Sequence, residues 1–146
     1  MSLDGEYDRA NIFARILRGE APAARIFEDT ESLAFMDVFP QARGHSLAIH
    51  KTVEARNLLD VEAAPLQALI LTVRRIVRAT REALNPDGIL VSQFNGAAAG
   101  QTIYHLHFHI VPRWQGQPPR PHGAGAMADP DELADLAKQI AARMEG

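Results

Sequence analysis

The stretch YHLHFHIV, residues 104–111, decides how the rest of the chain is read. Histidine stands at 105, 107 and 109, so half of the six histidines in 146 residues fall at alternate positions of one short run. Alternation with period two marks a β-strand, whose successive side chains point to opposite faces. On a strand over 104–112, His105, His107 and His109 share one face while Leu106, Phe108 and Ile110 share the other. The apolar face packs, and the histidine face is left for chemistry.

Three uses compete for that face. A merely polar sheet surface more often carries Thr, Lys or Glu than three imidazoles. A zinc site would exploit His-x-His, but a rise of about 3.3 Å per residue puts the outer Cα atoms roughly 13 Å apart. Nitrogens on one tetrahedral zinc lie within about 4 Å of each other when each bond is about 2 Å. An adjacent pair fits, and the site then needs distant ligands such as His45 or Asp37. Nucleophilic catalysis needs one partly unprotonated imidazole with neighbours that donate protons and fix its orientation. The preceding NGAAAGQT, residues 95–102, suits this third use, because Gly96 and Gly100 permit close backbone approach and Gln101 and Thr102 add donors. It lacks the Gly-Lys-Ser/Thr ending of a Walker loop and is also an ordinary turn.

Working outward, NIFARILR predicts a short amphipathic helix with Asn11 as N-cap, stopped at Gly19. ARIFEDTESLAFMDV reads as two strands around a polar turn at 28–32, and GHSLAIHK as a third strand after Gly44. From 64 to 84, Leu66, Leu69, Ile70, Val73, Ile76, Val77 and Leu84 recur at helical spacing and predict a long helix ended by NPDG. Arg74, Arg75, Arg78 and Arg81 form its solvated face. Residues 88–94 make a fourth strand before the histidine strand. The Pro/Gly-rich run at 115–128, with His122 as a loop residue, precedes a helix capped by Asp129 and Pro130. Its stripe of Leu133, Leu136, Ile140 and Met144 faces the chain's own core or a partner subunit. The expected division is a tail at 1–8, a domain at 9–114 and an extension at 115–146.

Composition narrows the classes. A hydrophobic content of 47% with 23% charged residues suits a globular domain, and a net charge of −3 disfavours a nucleic-acid partner. Cysteine is absent, which removes disulfides and thiolate chemistry. No apolar run is long enough to span a bilayer, and the first ten residues lack the pattern of a signal peptide, so the expectation is a cytoplasmic protein without a membrane partner.

HLHFHIV, together with AGQTIYHLHFHIVPRW, NIFARIL and LAFMDVFPQARGHSLAIHK in that family's order, resembles the histidine triad (HIT) family, in its Hint-like branch. The resemblance implies an α+β fold: a HIT-like antiparallel sheet of about five strands with one long and one short helix, here followed by a C-terminal helix. It also implies a homodimer and hydrolysis of nucleoside phosphoramidates or nucleotidyl conjugates, without a cofactor. His107 would attack the α-phosphorus and His109 would contact the phosphate or leaving group. His105 and His45 would orient His107. Asp37 would bind the ribose of a purine nucleotide or nucleotide conjugate. Ile12, Phe13, Ile16, Phe35 and Val38 would line the base pocket, and Gln101 and Thr102 would hold phosphate or leaving group. From the residues alone, the apolar ones are core, Asp37 is a strand-end aspartate and His45 a loop histidine.

Departures from the family pattern carry expectations too. Many bacterial relatives bind structural zinc through Cys-x-x-Cys in the first helix and a later histidine; here Asn11, Ala14 and KTVEAR replace them, so no structural metal is expected. Phe94 stands where the family usually has a polar residue, and Asn95 is the nearest candidate for that contact. Two alternatives share the histidines: a dinucleoside polyphosphate hydrolase of the Fhit type, and a nucleotide-binding regulator with little turnover.

Overall fold

The structure is a computed structural model, described for residues 2–118 and 127–144. His122 and the middle of the Pro/Gly-rich run lie outside the described residues. Among the described residues the chain runs α1 (Ile12–Leu17), β1 (Arg25–Glu28), β2 (Ser32–Met36), β3 (Ser46–His50), α2 (Ala63–Leu84), β4 (Gly88–Ser92), β5 (His107–Arg113) and α3 (Pro130–Ala141). The strands form one antiparallel sheet in the order β1-β2-β3-β5-β4. The expected α+β architecture is therefore the observed one. No helix among the described residues is long and apolar enough to cross a membrane.

Both faces of the sheet are covered, which explains why β2 and β3 are buried at every position. One face carries Ala34, Met36, Ala48, Phe108 and Ile110 against α2 and α3. The other carries Leu33, Phe35, Leu47 and Ile49 against Phe13 and Ile16 of α1. His107 and His109 sit opposite Ile49 and Leu47, so they share that second face.

The expected ends hold where local chemistry sets them. Asn11 Oδ1 accepts the Ala14 amide at 2.9 Å, and Asp129 Oδ1 accepts that of Asp131 at 3.0 Å. Asn85 closes α2 in the left-handed region with φ 50°. Gly44, with φ +90°, turns the chain into β3 where a Cβ would collide with Leu84 and Pro112.

Three expectations are corrected. β5 starts at His107 instead of Tyr104, because β3 ends at His50 and the Leu106 amide turns to the Ala55 carbonyl. β4 ends at Ser92, opposite His109, so Phe94 lies beyond the strand. Ile70 is 43% exposed, because the buried stripe of α2 runs narrowly through Leu69, Thr72, Val73, Ile76, Ala79 and Thr80. α3 packs on the chain's own core through Leu133, Leu136, Ala137 and Ile140.

Candidate active site

Where α1 meets the histidine face of the sheet there is a cavity of about 610 Å³. That volume lies in the range of small-ligand pockets. Ile12, Phe13, Ile16, Phe35 and Val38, the residues assigned to a base pocket, all line it. So do Asp37, Thr102, His107 and His109. The wall is mostly apolar, with the carboxylate, the two imidazoles and the Thr102 side chain as its polar points.

The hydrogen-bond partners fix which ring nitrogen carries each proton. His107 Nδ1 lies 2.6 Å from the His105 carbonyl oxygen. A carbonyl only accepts, so Nδ1 donates and the neutral ring keeps its lone pair on Nε2. Phe13 meets the His107 ring edge-on at 4.9 Å and restricts its rotation. His107 is thus held with its ring orientation fixed and, when neutral, its lone pair on Nε2.

His109 is set the other way round. The Gln41 amide donates to His45 Nδ1 at 3.0 Å, so His45 bears its proton on Nε2. That N–H faces His109 Nδ1 at 3.0 Å and Asp37 Oδ2 at 3.4 Å. His109 accepts at Nδ1 and, when neutral, presents an N–H at Nε2. Within one pair of alternate residues the fold supplies a lone pair and a donor.

His105 stands behind this pair, off the strand and away from the cavity. Its Nε2 is 3.2 Å from the His50 carbonyl and its Nδ1 2.6 Å from the Tyr7 hydroxyl. Burial pushes its imidazole down to about 4 from the usual 6.5, so it is neutral near pH 7. The three histidines do not form one row; two line the cavity and one supports them.

The loop before β5 divides the remaining expectations. Thr102 reaches the cavity, but Gln101 is buried within the loop. Its Oε1 accepts the Gly96 amide at 2.8 Å, and its Nε2 donates to the carbonyls of Arg56 and Ile103 at 2.8 and 3.1 Å. Asn95 does not line the cavity, and its Oδ1 accepts from the Leu58 amide and Gln93 Nε2, each at 3.0 Å. Gln101 holds the loop through both ends of its amide and Asn95 through its oxygen. Phe94 instead sets its ring 5.4 Å from that of His109.

Asp37, His45 and His109 bring ligand atoms within 4.8 Å of one another, close enough for a cation to bridge them. The Gln41 amide opposes this, since by occupying Nδ1 it keeps the proton of His45 on the nitrogen a cation would need. The cluster reads as a hydrogen-bond relay.

The sequence offered no signal for Tyr7, and none for Met127, whose segment reaches the same cavity. The Ala128 amide donates to the Val38 carbonyl at 2.9 Å and ties that segment beside Asp37. Phe39, 38% exposed, completes this rim and could have been suspected only as an apolar residue next to a turn.

Comparison with known proteins gives concordant results. The sequence pattern of the HIT domain matches residues 18–116. The protein named Protein hit of Bacillus subtilis is 34% identical over 140 residues, covering 91% of this chain and 93% of its own length. The adenosine 5'-monophosphoramidase hnt1 of Schizosaccharomyces pombe is 31% identical over 141 residues, covering 92% and 98%. A crystal structure of a Hit-like protein involved in cell-cycle regulation from Bartonella henselae superposes with a TM-score of 0.90 at 44% identity, covering 96% of this chain and all of that one.

Proposed function

The chain belongs to the HIT domain family, and on that premise we propose that it cleaves nucleoside phosphoramidates or related nucleotidyl conjugates at the α-phosphate, with His107 as nucleophile. The observation that carries this reading is the 2.6 Å contact of His107 Nδ1 with the His105 carbonyl, which puts the lone pair of the neutral ring on Nε2 beside a mostly apolar cavity. The similarity to an adenosine 5'-monophosphoramidase supports the choice of substrate class.

The purine enters the pocket of Ile12, Phe13, Ile16, Phe35 and Val38, and Asp37 accepts from the ribose hydroxyls. His107 Nε2 then attacks the α-phosphorus; the Nε2–P bond forms as the bond to the leaving nitrogen breaks, and that nitrogen departs with the proton of His109 Nε2, which the hydrolytic water gives back in the second step. The N–H at His109 Nε2 donates to a phosphate oxygen or to the leaving group. Water next breaks the Nε2–P bond, releases the nucleoside monophosphate and returns the lone pair to His107. His45 holds the tautomer of His109 throughout.

The test is incubation of the protein with adenosine 5'-phosphoramidate in the presence of a chelator, following AMP release, with His107→Ala beside it. Wild type should release AMP and the variant should lose roughly three or more orders of magnitude in turnover while remaining folded. Retained turnover in His107→Ala would refute the nucleophile. A dinucleoside polyphosphate assayed in parallel ranks the Fhit-type alternative against this one.

A further inference from the structure

The N-terminal segment reaches the site from behind. Ser2 Oγ accepts the Ala97 amide at 3.0 Å, and the Leu3 carbonyl accepts from Asn57 Nδ2 at 3.2 Å, so the segment is pinned along the loop before β5. Those contacts deliver Tyr7 to His105, where its hydroxyl lies 2.6 Å from Nδ1 and its ring meets the imidazole edge-on at 5.6 Å. Tyr7 lies outside residues 18–116.

The direction of that bond follows from the other side of the ring. His105 Nε2 faces the His50 carbonyl and must donate, so Nδ1 of the neutral ring has only a lone pair and Tyr7 must be its donor. Asn11 Oδ1 accepts the Ala14 amide and its Nδ2 donates to the Asp8 carbonyl at 2.7 Å, so the N-cap of α1 holds the backbone next to Tyr7. The phenol and His105 are thus linked in series. The last link is the His105 carbonyl, which accepts from His107 Nδ1.

We propose that Tyr7 is a positioning residue for His107: its hydroxyl fixes the plane of His105, whose carbonyl holds the proton of the nucleophile on Nδ1. This rests on the reading of His107 as the nucleophile. Without the hydroxyl, a buried lone pair loses its donor while Nε2 still donates to the His50 carbonyl, so His105 gains from turning its ring or shifting its backbone toward another donor. Either change shifts the acceptor that aims His107.

Tyr7→Phe keeps the ring and removes the donor. Ring-nitrogen NMR of the wild type should show His105 locked with its proton on Nε2 and a downfield His107 Nδ1–H. In Tyr7→Phe both signatures should shift, and kcat for adenosine 5'-phosphoramidate should fall about tenfold, with KM changed by less than about twofold. A wild-type His105 protonated on Nδ1 overturns the proposal before any variant is made. So does a Tyr7→Phe protein whose His105 and His107 resonances and kcat are those of wild type. The spectra do not depend on substrate. A wild type that releases no AMP, yet whose His105 unlocks in Tyr7→Phe, removes the proposed function and leaves the positioning of His107 standing.

Discussion

At the scale of single residues, the tautomers follow from partners that only accept or only donate. His107 Nδ1 and His105 Nε2 face carbonyls and His45 Nδ1 faces a backbone amide, which leaves the Tyr7 hydroxyl to donate to His105 Nδ1. Burial of His105 also makes it acid-sensitive. Its folded value of about 4 lies below the usual 6.5, so the unfolded chain takes up a proton that the folded chain refuses as pH falls through that window. Its contribution is intact above pH 6.5 and is lost toward pH 4, by on the order of 3 kcal/mol over that window. Urea unfolding of wild type and His105→Gln between pH 7 and 4 should show a shallower decline in the variant. Parallel declines would assign the acid lability to other groups.

At the scale of elements, the sheet face chooses what each strand contributes. β5 offers Phe108 and Ile110 to the core under α2, and His107 and His109 to the cavity beneath α1. α3 lies beyond the span of the HIT pattern, yet it is part of the same core and anchors the segment whose Met127 forms the cavity rim. Leu136 is 2% exposed within that contact. Leu136→Ala should cost about 2–5 kcal/mol in urea unfolding. It should also raise KM more than it lowers kcat, because the rim loosens while His107 keeps its partners. A neutral substitution would mean that α3 rests on the core without supporting it.

At the scale of the molecule, the fold leaves an unfinished edge. β4 ends the sheet with Leu90 45% and Val91 40% exposed, and α2 exposes Ile70 at 43% and Leu71 at 51%. An unpaired edge strand beside exposed apolar side chains invites pairing with a second sheet. We propose a two-fold dimer through this edge, in keeping with the resemblance to homodimeric proteins. Sedimentation should give a dimer for wild type and a monomer for Leu90→Lys/Val91→Lys. A monomeric wild type at micromolar concentration would remove the proposal.

Much of this was written along the chain. Period two placed His107 and His109 on one face, helical spacing marked α2, and Asn11, Asn85 and Asp129 ended their helices as local chemistry requires. The base-pocket residues came from the resemblance, since a lining Ile12 or Phe35 has the same spacing as a core residue. Tertiary structure alone decided the rest, because strand pairing and burial depend on residues far apart in sequence. It took His105 out of the strand by sending the Leu106 amide to Ala55, and it spent Gln101 and Asn95 inside the loop. It also brought Tyr7 across 98 positions to the ring it supports. A hydrogen bond of that span leaves no local pattern, so the tautomers on which the chemistry rests became legible only when the chain closed around them.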